Sequence, residues 1–195
     1  MRRWFETLHR GHALVLLSAL LVGACQSPTN DDKIDALGGE CKSVAESEFH
    51  RAGQPCLLCH DTYEGADPHL SVAGTIFATP NIPMPVADAK VTLTDANGTQ
   101  ISTTTNCIGN FQIETADWRP AFPLHAEIEC PIPGSEDRRR LVMGTRISRD
   151  GSCAGCHFGP PSNKSPGWVY CAATMPDPPY EVDPNCAGIC TETSQ

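Results

Sequence analysis

The chain has 195 residues, with 11 Cys, 17 Pro, 16 Gly, only 6% aromatic residues and a formal charge of −9. A chain of that length buries a core without covalent staples, so its cysteines call for a chemical explanation rather than a stability one. The acidic balance excludes nucleic acid as the main partner, because phosphate binding needs Lys/Arg patches, and the Pro and Gly content favours short strands and turns over a helical bundle.

Arg2, Arg3 and Arg10 open the chain with positive charge, Ala13 to Val22 is apolar or small throughout, and Gly23-Ala24 leads to Cys25. This pattern predicts an export signal over residues 1–24, too short for a permanent membrane span. Leu21-Val22-Gly23-Ala24-Cys25 resembles the lipobox of bacterial lipoproteins, which implies lipidation of Cys25 and anchoring to a membrane through that lipid. Gln26 in the next position implies the outer membrane, on its periplasmic face or at the cell surface. Without residues 1–24 the chain loses three Arg and one Glu and carries a charge of −11. Residues 25–40 are polar and lack an apolar period, which predicts a flexible tether.

Residues 41–71 begin with a predicted short helix from Lys42 to Arg51 and contain Cys56-Leu57-Leu58-Cys59-His60. The same C-x-x-C-H pattern recurs as Cys153-Ala154-Gly155-Cys156-His157 in residues 148–195. It is the attachment pattern of c-type haem: two thiols at this spacing reach both vinyl groups, and the following imidazole reaches the iron. Two copies in a chain marked for export, where such haems are attached, predict two covalently bound c-type haems with His60 and His157 as proximal ligands. An oxidised or redox-active dithiol at each pair is the first alternative, and a shared zinc site the second. The 93 residues between Cys59 and Cys153 are far more than a compact zinc ribbon uses.

Between the motifs, residues 72–147 read as β structure. Val91 and Leu93 alternate with Thr92 and Thr94, Asp95-Ala96-Asn97-Gly98 marks a turn, and Ile101 to Thr105 is β-branched, which together predict a hairpin. A second turn at Asn106 to Asn110 leads into Phe111 and Ile113 on one face. Leu124, Ala126, Ile128 and Cys130 share a face opposite His125, Glu127 and Glu129, and Leu141, Met143, Thr145 and Ile147 repeat the alternation. The expected architecture is mainly β, a small antiparallel sandwich flanked by irregular haem-binding segments. After Cys156, seven prolines between Pro160 and Pro184 exclude a long helix or a central strand. Phe158, Trp168 and Tyr170 are candidate packing partners for the second haem.

Val72-Ala73-Gly74-Thr75-Ile76-Phe77, the run Val86 to Asp95, Gly98, Thr105 and Gly109-Asn110-Phe111 resemble the carboxypeptidase regulatory-like domain, a transthyretin-like β-sandwich. The resemblance covers about residues 72–130 and implies a structural or adhesive module without an active site. A sandwich flanked by C-x-x-C-H motifs resembles exported bacterial multihaem cytochromes. Within such a sandwich, Cys130 on the apolar face is expected to pair with Cys107. Setting aside Cys25 and the four motif cysteines leaves Cys41, Cys107, Cys130, Cys171, Cys186 and Cys190, an even set that three disulfides satisfy; five disulfides among all ten non-lipid cysteines satisfy the same parity.

Candidate distal ligands are His50, His69 and His125, with Met143 as a sulfur alternative that shares a face with core residues. Met84 and Met175, each beside proline, remain open. The function this predicts is a lipid-anchored dihaem cytochrome carrying single electrons between redox proteins or extracellular acceptors, rather than an enzyme. The alternatives are a disulfide-rich adhesion or ligand-binding lipoprotein without haem, and a haem enzyme or sensor with an open coordination site.

Overall fold

A computed structural model of the chain describes residues 30–61 and 65–188. The export signal, Cys25 and Cys190 lie outside the described residues. Those described fall into two units divided after Ala36. The described part of the first is a seven-residue helix, α1 (Asn30–Ala36), within the stretch expected to be an irregular tether; it buries no side chain. Asp31 and Asp32 in its first turn suit the positive end of the helix dipole. No helix among the described residues is long and apolar enough to cross a membrane.

The second unit is mainly β. Strand β1 (Leu70–Phe77) is buried along its whole length. It pairs antiparallel with β4 (Asn110–Glu114), in a register that sets Val72 opposite Ile113 and Gly74 opposite Phe111. β2 (Lys90–Thr94) and β3 (Gln100–Thr104) form the expected hairpin, with Val91 and Leu93 buried. β5 (His125–Pro131) pairs with β2 on one side and with β6 (Arg138–Val142) on the other. The seventh strand, β7 (Val169–Tyr170), lies in the proline-rich tail and pairs parallel to the end of β1. The result is a three-stranded sheet, β4-β1-β7, and a four-stranded sheet, β3-β2-β5-β6.

One hydrophobic cluster draws on both sheets: Val72 and Ile76 of β1, Phe111 and Ile113 of β4, Val91 and Leu93 of β2, and Cys130 at the end of β5. Alternation made these inward positions legible, since side chains two apart on a strand share a face. The exception is the last predicted strand. β6 stops at Val142; Met143 still continues the alternation, half-buried like Leu141 and with its N–H donating to the Ala126 carbonyl (3.0 Å), whereas Thr145 is exposed and Ile147 returns to the core through a separate bridge to Leu124. Met84 and Met175 lie on loops, as expected, and pack against the core.

The hairpin turn is organised by Asp95. Its carboxylate accepts hydrogen bonds from the N–H groups of Asn97 and Thr99 (both 2.9 Å) and of Ala121 (3.2 Å), and Gly98 takes the left-handed φ of +83° that closes the turn. Burial opposes ionisation of Asp95, but these N–H donors outweigh it and hold the carboxyl below its usual range. A folded-state pKa below the unfolded one stabilises the protein above the ordinary carboxylate range, near about 4, and that contribution is lost as pH falls through the depressed value. Asp95→Asn is therefore expected to lower stability at neutral pH, with the gap to the wild type closing below about pH 4; denaturant unfolding across pH reads this, and a pH-independent gap would contradict it.

Candidate functional site

Both C-x-x-C-H motifs fold into the same local structure, a single 3-10 turn over Cys56–Leu58 and over Cys153–Gly155. In the first, the carbonyl of Cys56 accepts hydrogen bonds from the N–H groups of Cys59 (3.2 Å) and His60 (2.9 Å); in the second, Cys153 does the same for Cys156 (3.2 Å) and His157 (2.9 Å). The turn brings two thiols and an imidazole onto one short piece of backbone, so their geometry is fixed locally.

The histidines are oriented alike. Nδ1 of His60 lies 3.1 Å from the carbonyl oxygens of both Ala66 and Pro68, and Nδ1 of His157 lies 2.9 Å from that of Gly167. A carbonyl only accepts, so Nδ1 carries the proton and Nε2 keeps the lone pair that binds a metal. The loop holding the Gly167 carbonyl is tied back to the motif through Ser165, whose Oγ accepts from the N–H groups of Phe158 (3.0 Å) and Gly167 (3.1 Å).

Both motifs attach to β1. The N–H of Leu70 donates to the carbonyl of His60 (3.0 Å), and the N–H of Ala73 donates to that of Gly151 (3.1 Å), just before the second motif. The second approach is close enough to require glycine in the strand. A Cβ on Gly74 would stand 2.7 Å from Cys153 Cβ and 3.0 Å from its Sγ. Gly74 thus marks where the second motif backs onto β1, although the sequence alone shows only an ordinary strand glycine.

The thiols separate into two chemical groups. Cys56, Cys59, Cys153 and Cys156 are free. The other described cysteines are in disulfides: Cys107 pairs with Cys186, Cys130 pairs with Cys171, and Cys41 is also disulfide-bonded. The expected Cys107–Cys130 bond is therefore replaced by two bonds into the proline-rich tail. Cys130 is buried as expected, but the chain that comes alongside it is the continuation of β7, which carries Cys171 next to β1.

Burial pushes the Cys56 thiol up to about 11. Burial, followed by the charges of Cys56, Asp150 and Cys156, pushes Cys153 up to about 12. Redox-active C-x-x-C pairs work through a first cysteine of lowered pKa, and here the first cysteine of each pair moves the opposite way. Among the described residues no group of three or more His, Cys, Asp or Glu side chains is arranged to hold a bare metal ion. A haem iron asks less of the protein, because the porphyrin supplies four of its ligands.

A cavity of about 530 Å³ opens beside the first motif, lined by Cys56, Cys59, His60, Leu70, Phe111 and His50. This lies within the roughly 300–1,000 Å³ typical of cofactor pockets. The donor set, the histidine orientation and the neighbouring space all fit a c-type haem. His50 sits on a series of tight turns rather than on the helix expected over Lys42–Arg51. Ser47 is the reason: its Oγ accepts from the N–H of Phe49 (3.3 Å), its carbonyl is taken by His50 Nδ1, and Arg51 then adopts a φ of +49°. Such side-chain bonds compete with the helix ladder.

The remaining candidates are placed elsewhere. His69 donates through Nδ1 to the Asp61 carbonyl (2.7 Å), and its Nε2 is 3.5 Å from the Asp67 carboxylate. On β5, Nε2 of His125 is 3.3 Å from Glu127, whose carboxyl is held low first by its hydrogen bond to Arg140. Met143 is half-buried beyond the end of β6. Trp168 packs against Phe77, with ring centroids 5.5 Å apart, Tyr170 is half-buried in β7, and Phe158 is exposed. Asn106 and Asn110 read in the sequence as turn residues only, yet their side-chain amides hold the backbone of the segment that carries His50. The chain matches no known protein-family model, no curated protein and no solved structure.

Proposed function

We propose that this chain is a lipid-anchored dihaem c-type cytochrome that passes single electrons between periplasmic or extracellular partners. The two sheets serve as a transthyretin-like sandwich, and residues 41–71 and 148–195 serve as the haem-binding segments. The observation that carries this reading is the shared state of the two motifs: free thiols on a 3-10 turn, followed by a histidine whose Nδ1 is occupied by a backbone carbonyl. The four free motif thiols weigh against the all-disulfide adhesion module.

When bound, each haem supplies a reversible one-electron iron couple. The protein's part is mechanical and electrostatic. Cys56 with Cys59, and Cys153 with Cys156, provide the covalent anchors; the carbonyls of Ala66, Pro68 and Gly167 hold the imidazoles in the ligating tautomer. β1 sets both sites on one rigid element. The −11 charge of the chain without its first 24 residues favours encounter with a basic partner.

The test is the intact mass of the mature protein produced with haem-maturation machinery, read with the absorption spectrum after denaturation. Two haem masses, a Soret band that survives unfolding and a lipidated Cys25 are expected. A mass without haem, or the motif cysteines recovered in disulfides, would overturn the reading.

A further inference from the structure

We infer that His50 is the second protein ligand of the iron at the first motif, and that Asn110 of β4 is the residue that positions it; this rests on the haem reading above. The rings of His50 and His60 line the same cavity, with centroids 5.8 Å apart and planes tilted by 48°. Two imidazoles bound at about 2 Å on opposite sides of one metal place their centroids roughly 6 Å apart, so the observed separation matches a shared metal between them.

The surroundings of Nε2 select His50 from the three candidates. Nδ1 of His50 lies against the Ser47 backbone, its carbonyl and its N–H (3.4 Å), and Nδ1 of His60 against the carbonyls of Ala66 and Pro68, so in both rings Nε2 is the nitrogen turned away from these backbone partners. In His69 and His125 that same Nε2 lies against the carboxylates of Asp67 and Glu127 instead.

The segment carrying His50 has no regular secondary structure, so something else must hold a ligand there. The Asn110 side-chain amide donates to the carbonyl of His50 itself (2.9 Å) and to that of Glu48 (3.1 Å), while Thr75 of β1 donates to Asn110 Oδ1 (2.7 Å). Asn106 adds a second grip on the Glu48 carbonyl (2.8 Å). On the far side, the Arg51 guanidinium bonds Glu40 at 2.7 Å. The sheet thereby fixes the distal histidine in place before any metal is bound, which reduces the ordering cost of ligation.

Electron paramagnetic resonance and carbon monoxide titration of the full, haem-loaded chain test this. In His50→Ala, one haem per molecule is expected to change from six-coordinate low-spin to high-spin, and carbon monoxide binding to that haem in the reduced protein to proceed without the slow ligand-displacement step. His50→Met guards against failure of the alanine variant to mature: it is expected to raise the potential of one of the two couples, because Met/His ligation lies above bis-His. Asn110→Asp, which keeps size but removes the amide donor, is expected to speed displacement of the sixth ligand by carbon monoxide several-fold with both haems retained; His69→Ala is expected to leave spectra and uptake unchanged. Two haems with unaltered spin state and potentials in both His50 variants would overturn this assignment alone. A wild-type chain without haem would overturn the haem reading and this assignment with it.

Discussion

A chain in which Cys153 and Cys156 are both replaced by alanine is expected to mature with one haem mass instead of two and with half the haem absorbance per molecule. The reciprocal Cys56→Ala/Cys59→Ala chain is expected to do the same, and replacement of all four to give a colourless protein. The independence follows from the local closure of each motif: each turn is held by hydrogen bonds from its own first cysteine carbonyl and orients its own histidine through carbonyls of the residues just after it. Nothing in one turn is needed to form the other. Haem quantified from the denatured protein, alongside intact mass, checks this. Full haem content in either double variant would remove the motifs from the mechanism, and loss of both haems in each would show that the two sites mature as one.

Replacement of Cys130 and Cys171 by alanine is expected to lower the unfolding free energy by about 4 kcal/mol, a large fraction of the roughly 5–15 kcal/mol that holds a typical domain. The bond closes a sequence separation of 41 residues, and both cysteines are fully buried, so the variant loses core contacts as well as the crosslink. The position of this bond gives the effect its direction. Beside Cys171 the chain follows β1 through hydrogen bonds from Cys171 to Phe77 (3.0 Å) and from Ala172 to Ala78 (2.9 Å), and Arg139 of β6 donates to the Cys171 carbonyl (3.2 Å). Losing the crosslink loosens the stretch that joins the tail to both sheets. Denaturant unfolding of the purified protein measures the change; a loss below about 1 kcal/mol would show that the contacts around Cys171 hold the tail without the bond.

The strands of the hairpin, β4 and the buried positions of β5 are legible in the sequence because each has one face in the core, and burial on one face writes a period of two. The motifs are legible for a different reason: the turn that carries them is closed within five residues, so spacing shows it, while the carbonyls that orient the histidines lie further along the chain. What the sequence hides is long-range. Cys130 shows that it is buried but not that its partner lies beyond a proline-rich stretch, since β7 is two residues long and has no pattern to read. The His50 segment has the composition of a short helix, and a single serine's side-chain and carbonyl bonds turn it into tight turns. Asn110 looks like a turn residue until its amide is seen bonding carbonyls some 60 residues earlier in the chain. Gly74 carries no local mark of the Cys153 side chain against which it lies.

The two neighbours of β1 come from very different distances along the chain: β4 begins at Asn110, whereas β7 is formed by Val169 and Tyr170. Apart from the single bridge that Ala73 makes to the Gly151–Ser152 stretch, a fully buried strand thus keeps one edge unpaired until almost the whole chain has appeared. Contacts of that range are slow to form, because the intervening loop must be closed before any of them is rewarded. During that interval the segment Leu70–Phe77 is the part of the molecule most exposed to pairing with another copy of itself. Chains ending before Val169 would carry that hazard permanently, so aggregation on truncation is written into the order in which this strand acquires its partners.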